Sequence, residues 1–220
     1  MRLRNVPGSR EKISECKYII PEDYETKGNW QKIFNNDNPI DVEIGMGKGT
    51  FIIEMAKKFP DINFIGIEKF SSVLVRAIEK LESANLSKNK NDHIDNLYFM
   101  RMDAEDIENY FEKDEISDIF LNFSDPWPKD RHAKRRLTSD RFLHRYENIL
   151  KNDGTITFKT DNQPLFEFSV ETANKENWTI LKLSRDLHNS EYAEGNIMTE
   201  YEKKFSDLGN KINMIQISKK

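Results

Sequence analysis

The chain is poor in the residues that build covalent or metal frameworks. Cys16 is its one cysteine, which excludes a disulfide scaffold and a thiolate metal site. His93, His132, His144 and His188 are scattered without metal-ligand spacing, so no metal is expected. No apolar run approaches the ~20 residues that a membrane span requires. The N-terminal stretch MRLRNVPGSREK is basic but lacks the apolar core of a signal peptide. Positive charge is also short overall: 34 Lys and Arg against 38 Asp and Glu leave a formal net charge of −4. That argues mildly against a general nucleic-acid binder, but not against one that gathers its cations in a patch. The 37% of apolar residues in 220 is enough for a buried core. The expectation is a globular, cytoplasmic protein with no membrane association and no obligate protein partner.

From residue 40 onward, strand and helix patterns alternate. Ile40–Met46, Asn63–Glu68, Asn96–Asp103, Ser117–Ser124 and Thr155–Thr160 read as strands. Between them, apolar residues recur at helical spacing: Phe51, Ile52, Met55, Ala56 and Phe59 in one segment, Val73, Leu74, Ala77, Ile78 and Leu81 in the next. A further helix carries Phe142, Leu143, Tyr146, Ile149 and Leu150, with Thr138 and Ser139 as caps and Gly154 closing it. Asn162 and Pro164 open another. Two last strands, near Trp178–Arg185 and Ile212–Ser218, bracket an irregular polar segment, and the polar stretch Leu86–Asp95 reads as a loop. Such alternation implies a mostly parallel sheet of seven strands with helices on both faces and an antiparallel end. Residues 40–220 would form this domain and residues 1–39 an extension whose basic residues are candidates for RNA contact. In such folds ligands sit at the carboxyl ends of the strands.

The chemistry-bearing residues fall at those ends. VEIGMGKGTF places Gly45, Gly47 and Gly49 between a strand and a helix, where glycine lets backbone approach a ligand. The spacing is G-x-G-x-G, and Thr50 stands where the dinucleotide fingerprint would need its last glycine. Glu43 just upstream would repel a pyrophosphate but attract a sulfonium or amino group. This favours S-adenosylmethionine over a nicotinamide cofactor. Glu68, 19 residues after Gly49, suits a ribose diol, and Asp103 suits an adenine amino group. Each is weak alone, since glycine turns and solvated acids at strand ends are common. Together, at successive strand ends, they point to an adenosyl cofactor.

The fourth strand runs into FSDPWPKDRHAKRR. Both prolines restrict the residue before them to extended geometry, which explains Pro126 and Pro128 but not Asp125 or Trp127. Amine methyltransferases carry a related Asn/Asp-Pro-Pro-aromatic turn at this place. Immediately beyond lie Lys129, Arg131, Lys134, Arg135 and Arg136, with Asp130 as the one acid among them. A run of this kind is commonly a solvated loop. Beside an acceptor site it can instead hold a nucleic-acid backbone, with Trp127 either stacked on a base or packed beneath the loop.

The strings EIGMGKG, GIEKF, FSDPWPKDRHAKRR, FKTDN and TEYEKKF resemble the bacterial tRNA (guanine-N7-)-methyltransferase family from Glu43 to Phe205. The resemblance implies a Rossmann-like class I methyltransferase fold that uses S-adenosylmethionine and acts on the guanosine at position 46 of the tRNA variable loop. By motif match it assigns Glu43, Gly45, Gly47, Gly49, Glu68, Asp103 and Asp125 to the cofactor, Asp125 also being the implied catalytic residue. Lys129, Asp161, Thr199 and Glu202 would contact substrate, and Arg131, His132, Lys134, Arg135 and Arg136 the RNA. Asp130 departs from the family, where a basic or small residue is common. Glu202 or Asp161 would accept from guanine N1–H and N2–H, although Thr199 and Glu202 also read as the cap and third residue of a helix start. The rival readings are an exocyclic-amine methyltransferase, a nicotinamide-dependent reductase and a non-catalytic RNA-binding module.

Overall fold

The computed structural model describes residues 6–86 and 93–220. Arg2 and Arg4, and most of the loop expected over Leu86–Asp95, lie outside them. The chain divides into two compact units, one ending at Tyr110 and one starting at Phe111.

In the first unit, helix α1 (Ser9–Ser14), strand β1 (Ile19–Ile20) and helix α2 (Trp30–Phe34) precede the alternating part. There follow β2 (Ile40–Ile44), α3 (Thr50–Lys58), β3 (Asn63–Ile67), α4 (Ser71–Asn85) and β4 (Leu97–Met100). The strands lie in the order β1-β4-β3-β2, every pair parallel. Every residue of β2 and β3 is buried, so both faces of these strands are covered, as parallel strands require. The described residues before β2 are built into this unit. Trp30 is fully buried and its indole Nε1 donates to the Tyr110 carbonyl at 3.1 Å, which also accepts from Thr26 Oγ1 at 2.8 Å. Lys12 of α1 reaches Glu79 of α4 at 3.2 Å.

The second unit contains β5 (Ile116–Asn122), α5 (Asp140–Ile149), β6 (Leu150–Thr160), α6 (Gln163–Lys175), β7 (Thr179–Ser184), α7 (Glu200–Asp207) and β8 (Asn213–Ser218). Their order is β5-β6-β8-β7, with β5 and β6 parallel and β8 antiparallel to both its neighbours. The expected antiparallel end is therefore present.

Four local expectations need correction. Among the described residues there are eight strands rather than seven, because two residues of the N-terminal segment pair with β4. Gly154 does not close α5: β6 begins at Leu150, and a Cβ on Gly154 would lie 2.4 Å from the Ser117 carbonyl oxygen, so glycine there permits close backbone approach. The segment between β7 and β8 is not wholly irregular, since it contains α7. Of the proposed α5 caps, Ser139 occupies the cap position, but its hydroxyl donates to the Lys134 carbonyl and Thr138 pairs with Ser169. Asn162 caps α6 as expected, accepting from Leu165 N–H at 2.9 Å.

Candidate active site

The first unit gathers the glycines and three acids. Gly45, Gly47 and Gly49 have φ values of +74°, +58° and +72°, the left-handed region that L-residues avoid. Gly45 and Met46 both donate to the Ile67 carbonyl, at 2.9 and 3.0 Å, so the turn is tied to the end of β3. Gly49 packs against α4, where an added Cβ would stand 2.8 Å from the Ala77 Cβ. At Gly47 an added Cβ would meet nothing within 4 Å, so the backbone there is open to a ligand.

Glu43 is buried in β2, two residues before the turn. Glu68 follows β3 and braces the turn: its carboxylate accepts from Gly47 N–H at 3.1 Å and from Phe70 N–H at 2.9 Å. Asp103 follows β4, caps the short turn Ala104–Asn109 through Glu105 N–H, and pairs with Lys69 at 2.6 Å. Val6–Glu11, Lys69–Ser72 and Arg101 line a cleft of about 710 Å³ beside that pair. Carboxylate acceptors around bare backbone fit the hydroxyls and cationic centre of S-adenosylmethionine, and would repel a pyrophosphate.

The second unit gathers the rest. Phe123 N–H donates to the Lys159 carbonyl at 2.8 Å, joining the ends of β5 and β6. The exposed Asp125 follows on its proline-braced turn. Within Lys129–Arg136, Lys129, Arg131, Lys134 and Arg135 are exposed, while His132 and Arg136 are half-buried. Trp127 packs within the loop. The Arg135 guanidinium lies 5.0 Å from its ring centre, and His132 meets it edge-on at 5.7 Å.

Asp161, just beyond β6, accepts at Oδ2 from Tyr201 Oη and Asn210 Nδ2, both at a long 3.4 Å. Among the described residues no donor reaches its Oδ1. Burial first, and then the Asp161 carboxylate, push the Tyr201 phenol above its ordinary pKa, so it remains a donor. Tyr201 itself stacks on Phe205 at 4.1 Å and leans on Phe123 at 5.0 Å.

Glu202 stands differently from the expectation of a guanine contact. It is fully buried. Its Oε2 accepts from Lys159 Nζ at 2.6 Å, and its Oε1 pairs with His188 Nε2 at 2.9 Å and accepts from Asn196 Nδ2 at 2.7 Å. Lys159 also donates to the Asn196 side-chain oxygen and the Ile197 carbonyl. Thr199 caps α7, its hydroxyl oxygen accepting from Glu202 N–H at 2.9 Å. The helix-start reading of TEYE thus holds for Thr199, while the Glu202 carboxylate turns inward to Lys159. Burial, the largest influence, pushes the Glu202 carboxyl upward. Lys159, His188 and Asn196 outweigh it and leave the group below its usual range. Sequence reasoning assigned no role to Lys159, His188, Asn196 or Lys69. The one local signal was a lysine inside the expected strand Thr155–Thr160.

Solved structures with the same architecture place this fold among class I methyltransferases. An antibiotic-related methyltransferase matches with a TM-score of 0.64 at 17% identity, covering 90% of this chain and 96% of that one. The 16S rRNA methyltransferase KamB matches with a TM-score of 0.65 at 10% identity, covering 89% and 94%. The family model described as "Putative methyltransferase" matches residues 37–215. A tRNA (guanine-N(7)-)-methyltransferase of Lachnoclostridium phytofermentans is 54% identical, across 98% of this chain and 97% of its own. One of Bacillus cytotoxicus is 50% identical, across 98% and 96%. The chain belongs to the tRNA (guanine-N7-)-methyltransferase family.

Proposed function

We propose that the protein methylates N7 of a guanosine in tRNA, at position 46 of the variable loop. The observation that carries this reading is the loop after β5, where an exposed Asp125 on a rigid turn is followed directly by four exposed cations. Cations so placed would grip the phosphates on either side of a base presented to Asp125. The relatives' activity on tRNA supports the same choice of polyanion.

Bound S-adenosylmethionine supplies an electrophilic methyl group on a sulfonium. Glu68 is suited to hold the ribose, Asp103 the adenine, and Glu43 the cationic end. Guanine N7 carries an in-plane lone pair and no proton, so no residue needs to act as a general base. The task left to the protein is orientation. Methylation also moves positive charge onto the purine, so a carboxylate near the base, in the role assigned to Asp125, stabilises the transition state more than the neutral ground state. Asp161, with Oδ1 open, is the acceptor for the guanine N1–H and N2–H edge. Thr199 retains a hydroxyl proton to donate to the same nucleoside. Glu202, buried beneath them, positions Thr199 and Tyr201 rather than touching the base. In the first unit Arg10, beside the cleft with Lys69 and Arg101, offers the N-terminal segment a further RNA contact. The proposed tRNA substrate supports a cytoplasmic location.

The test is incubation with unmodified tRNA and methyl-labelled S-adenosylmethionine, followed by chemical cleavage at 7-methylguanosine. The expected result is one labelled break in the variable loop. A break elsewhere refutes the position, and label without any break refutes N7 in favour of an exocyclic amine.

A further inference from the structure

The turn that carries Asp125 is held in backbone conformations its residues avoid. Phe123 has φ +53° and Trp127 φ +42°, and bulky L-residues adopt this region only where their surroundings hold them there. The brace is Arg136. Its Nε donates to the Pro126 carbonyl and its Nη2 to the Trp127 carbonyl, each at 3.1 Å. The carbon atoms of those two carbonyls are the first and last atoms of the Trp127 φ torsion. One rigid guanidinium bridging their oxygens therefore pins that torsion. The guanidinium is itself seated on α6, with its Cζ 4.3 Å from the Phe168 ring centre.

The cationic run thus divides by orientation. Lys129, Arg131, Lys134 and Arg135 are exposed, whereas Arg136 is half-buried and turned back onto the loop. We propose that Arg136 is a positioning residue. By holding Trp127 in the left-handed region it sets the path of the turn and thereby the placement of Asp125. The kinetic part of this inference rests on the role of Asp125 proposed above; the structural part does not.

The test compares Arg136→Ala and Arg136→Lys in the full-length enzyme. Lysine keeps the charge but cannot bridge both carbonyls with a planar fork. A clamp predicts that both variants lose kcat by roughly 10- to 100-fold, the usual consequence of misplacing a group by about 1 Å. The KM for tRNA and the salt dependence of tRNA binding should stay within about twofold. Acrylamide quenching of tryptophan emission should rise in both. That signal reports Trp127, because Trp30 and Trp178 are 0% and 7% exposed. A phosphate contact predicts the opposite: Arg136→Lys keeps full activity, and Arg136→Ala raises KM and flattens the salt slope by roughly one contact. That result, or unchanged quenching in both variants, overturns the proposal. If the alanine variant fails to fold, the lysine variant alone decides between the two. Wild-type enzyme that leaves tRNA guanine N7 unmethylated refutes the function proposed above, and the quenching comparison still decides the clamp.

Discussion

Replacing Glu202 with alanine should destabilise the protein by about 3–5 kcal/mol, the usual cost of leaving one member of a buried ion pair alone. Lys159 and Glu202 have side-chain exposures of 4% and 0% and lie 2.6 Å apart, so removing the carboxylate leaves the ammonium buried away from bulk solvent. The Asn196 side-chain oxygen and the Ile197 carbonyl, which also accept from Lys159, are neutral and do not replace the charge of the lost carboxylate. For a chain of this size the loss corresponds to a fall in Tm of roughly 6–20 °C. The double variant Lys159→Met/Glu202→Met removes both charges and should recover most of it, since an apolar pair of similar volume often equals a buried ion pair.

The acid limb provides a second readout. Lys159, His188 and Asn196 hold the Glu202 carboxyl below its ordinary value despite burial. The group therefore contributes stability that is complete above about pH 4.3 and lost as pH falls through its lower native pKa. Glu202→Gln should remove that part of the acid dependence. Thermal melts of the four proteins between pH 3 and pH 8 are the assay. A loss below about 1 kcal/mol for Glu202→Ala, or a double variant no more stable than the single one, would refute the reasoning.

Asp161→Asn should lower kcat/KM on tRNA by roughly 10- to 100-fold, the range expected for losing a hydrogen bond to a charged acceptor, while calorimetry finds S-adenosylmethionine affinity unchanged. Lys129→Ala/Lys134→Ala should flatten the plot of log K against log salt by about 1.4–1.8, or about 0.7–0.9 per phosphate released, measured by filter binding. Gly49→Ala should destabilise by about 2–5 kcal/mol, combining left-handed backbone with a clash of Cβ atoms. Adding Ala77→Gly should relieve only the contact part, which thermal melts will separate.

Much of this molecule is legible locally. Helical spacing of Phe51, Ile52, Met55 and Ala56 and the apolar strands around it mark the alternating core, because amphipathic period is a property of neighbouring residues. The three glycines after β2, Glu43 within it, and Glu68 and Asp103 after β3 and β4 could be placed along the chain for the same reason. Where local reading went astray, a distant partner was responsible. Gly154 resembles a helix end in sequence, yet its close neighbour is Ser117, which belongs to β5. Ile19–Ile20 is too short to show alternation and becomes a strand only by pairing with Phe99 and Met100.

The sequence by itself determined the fold class, the strand ends at which the candidate site residues fall, and the family to which the chain belongs. Turn chemistry, apolar period and the order of motifs are all written along the chain. Tertiary structure alone decided which way the charges face. Glu202 and Lys159 are 43 residues apart, and nothing near either one announces that they neutralise each other in a buried pocket. Arg136 differs from Arg135 by one position, yet one lies exposed over Trp127 and the other clamps the turn. A charged side chain's role depends on whether water or a buried acceptor surrounds it, and that environment exists only once distant segments have packed.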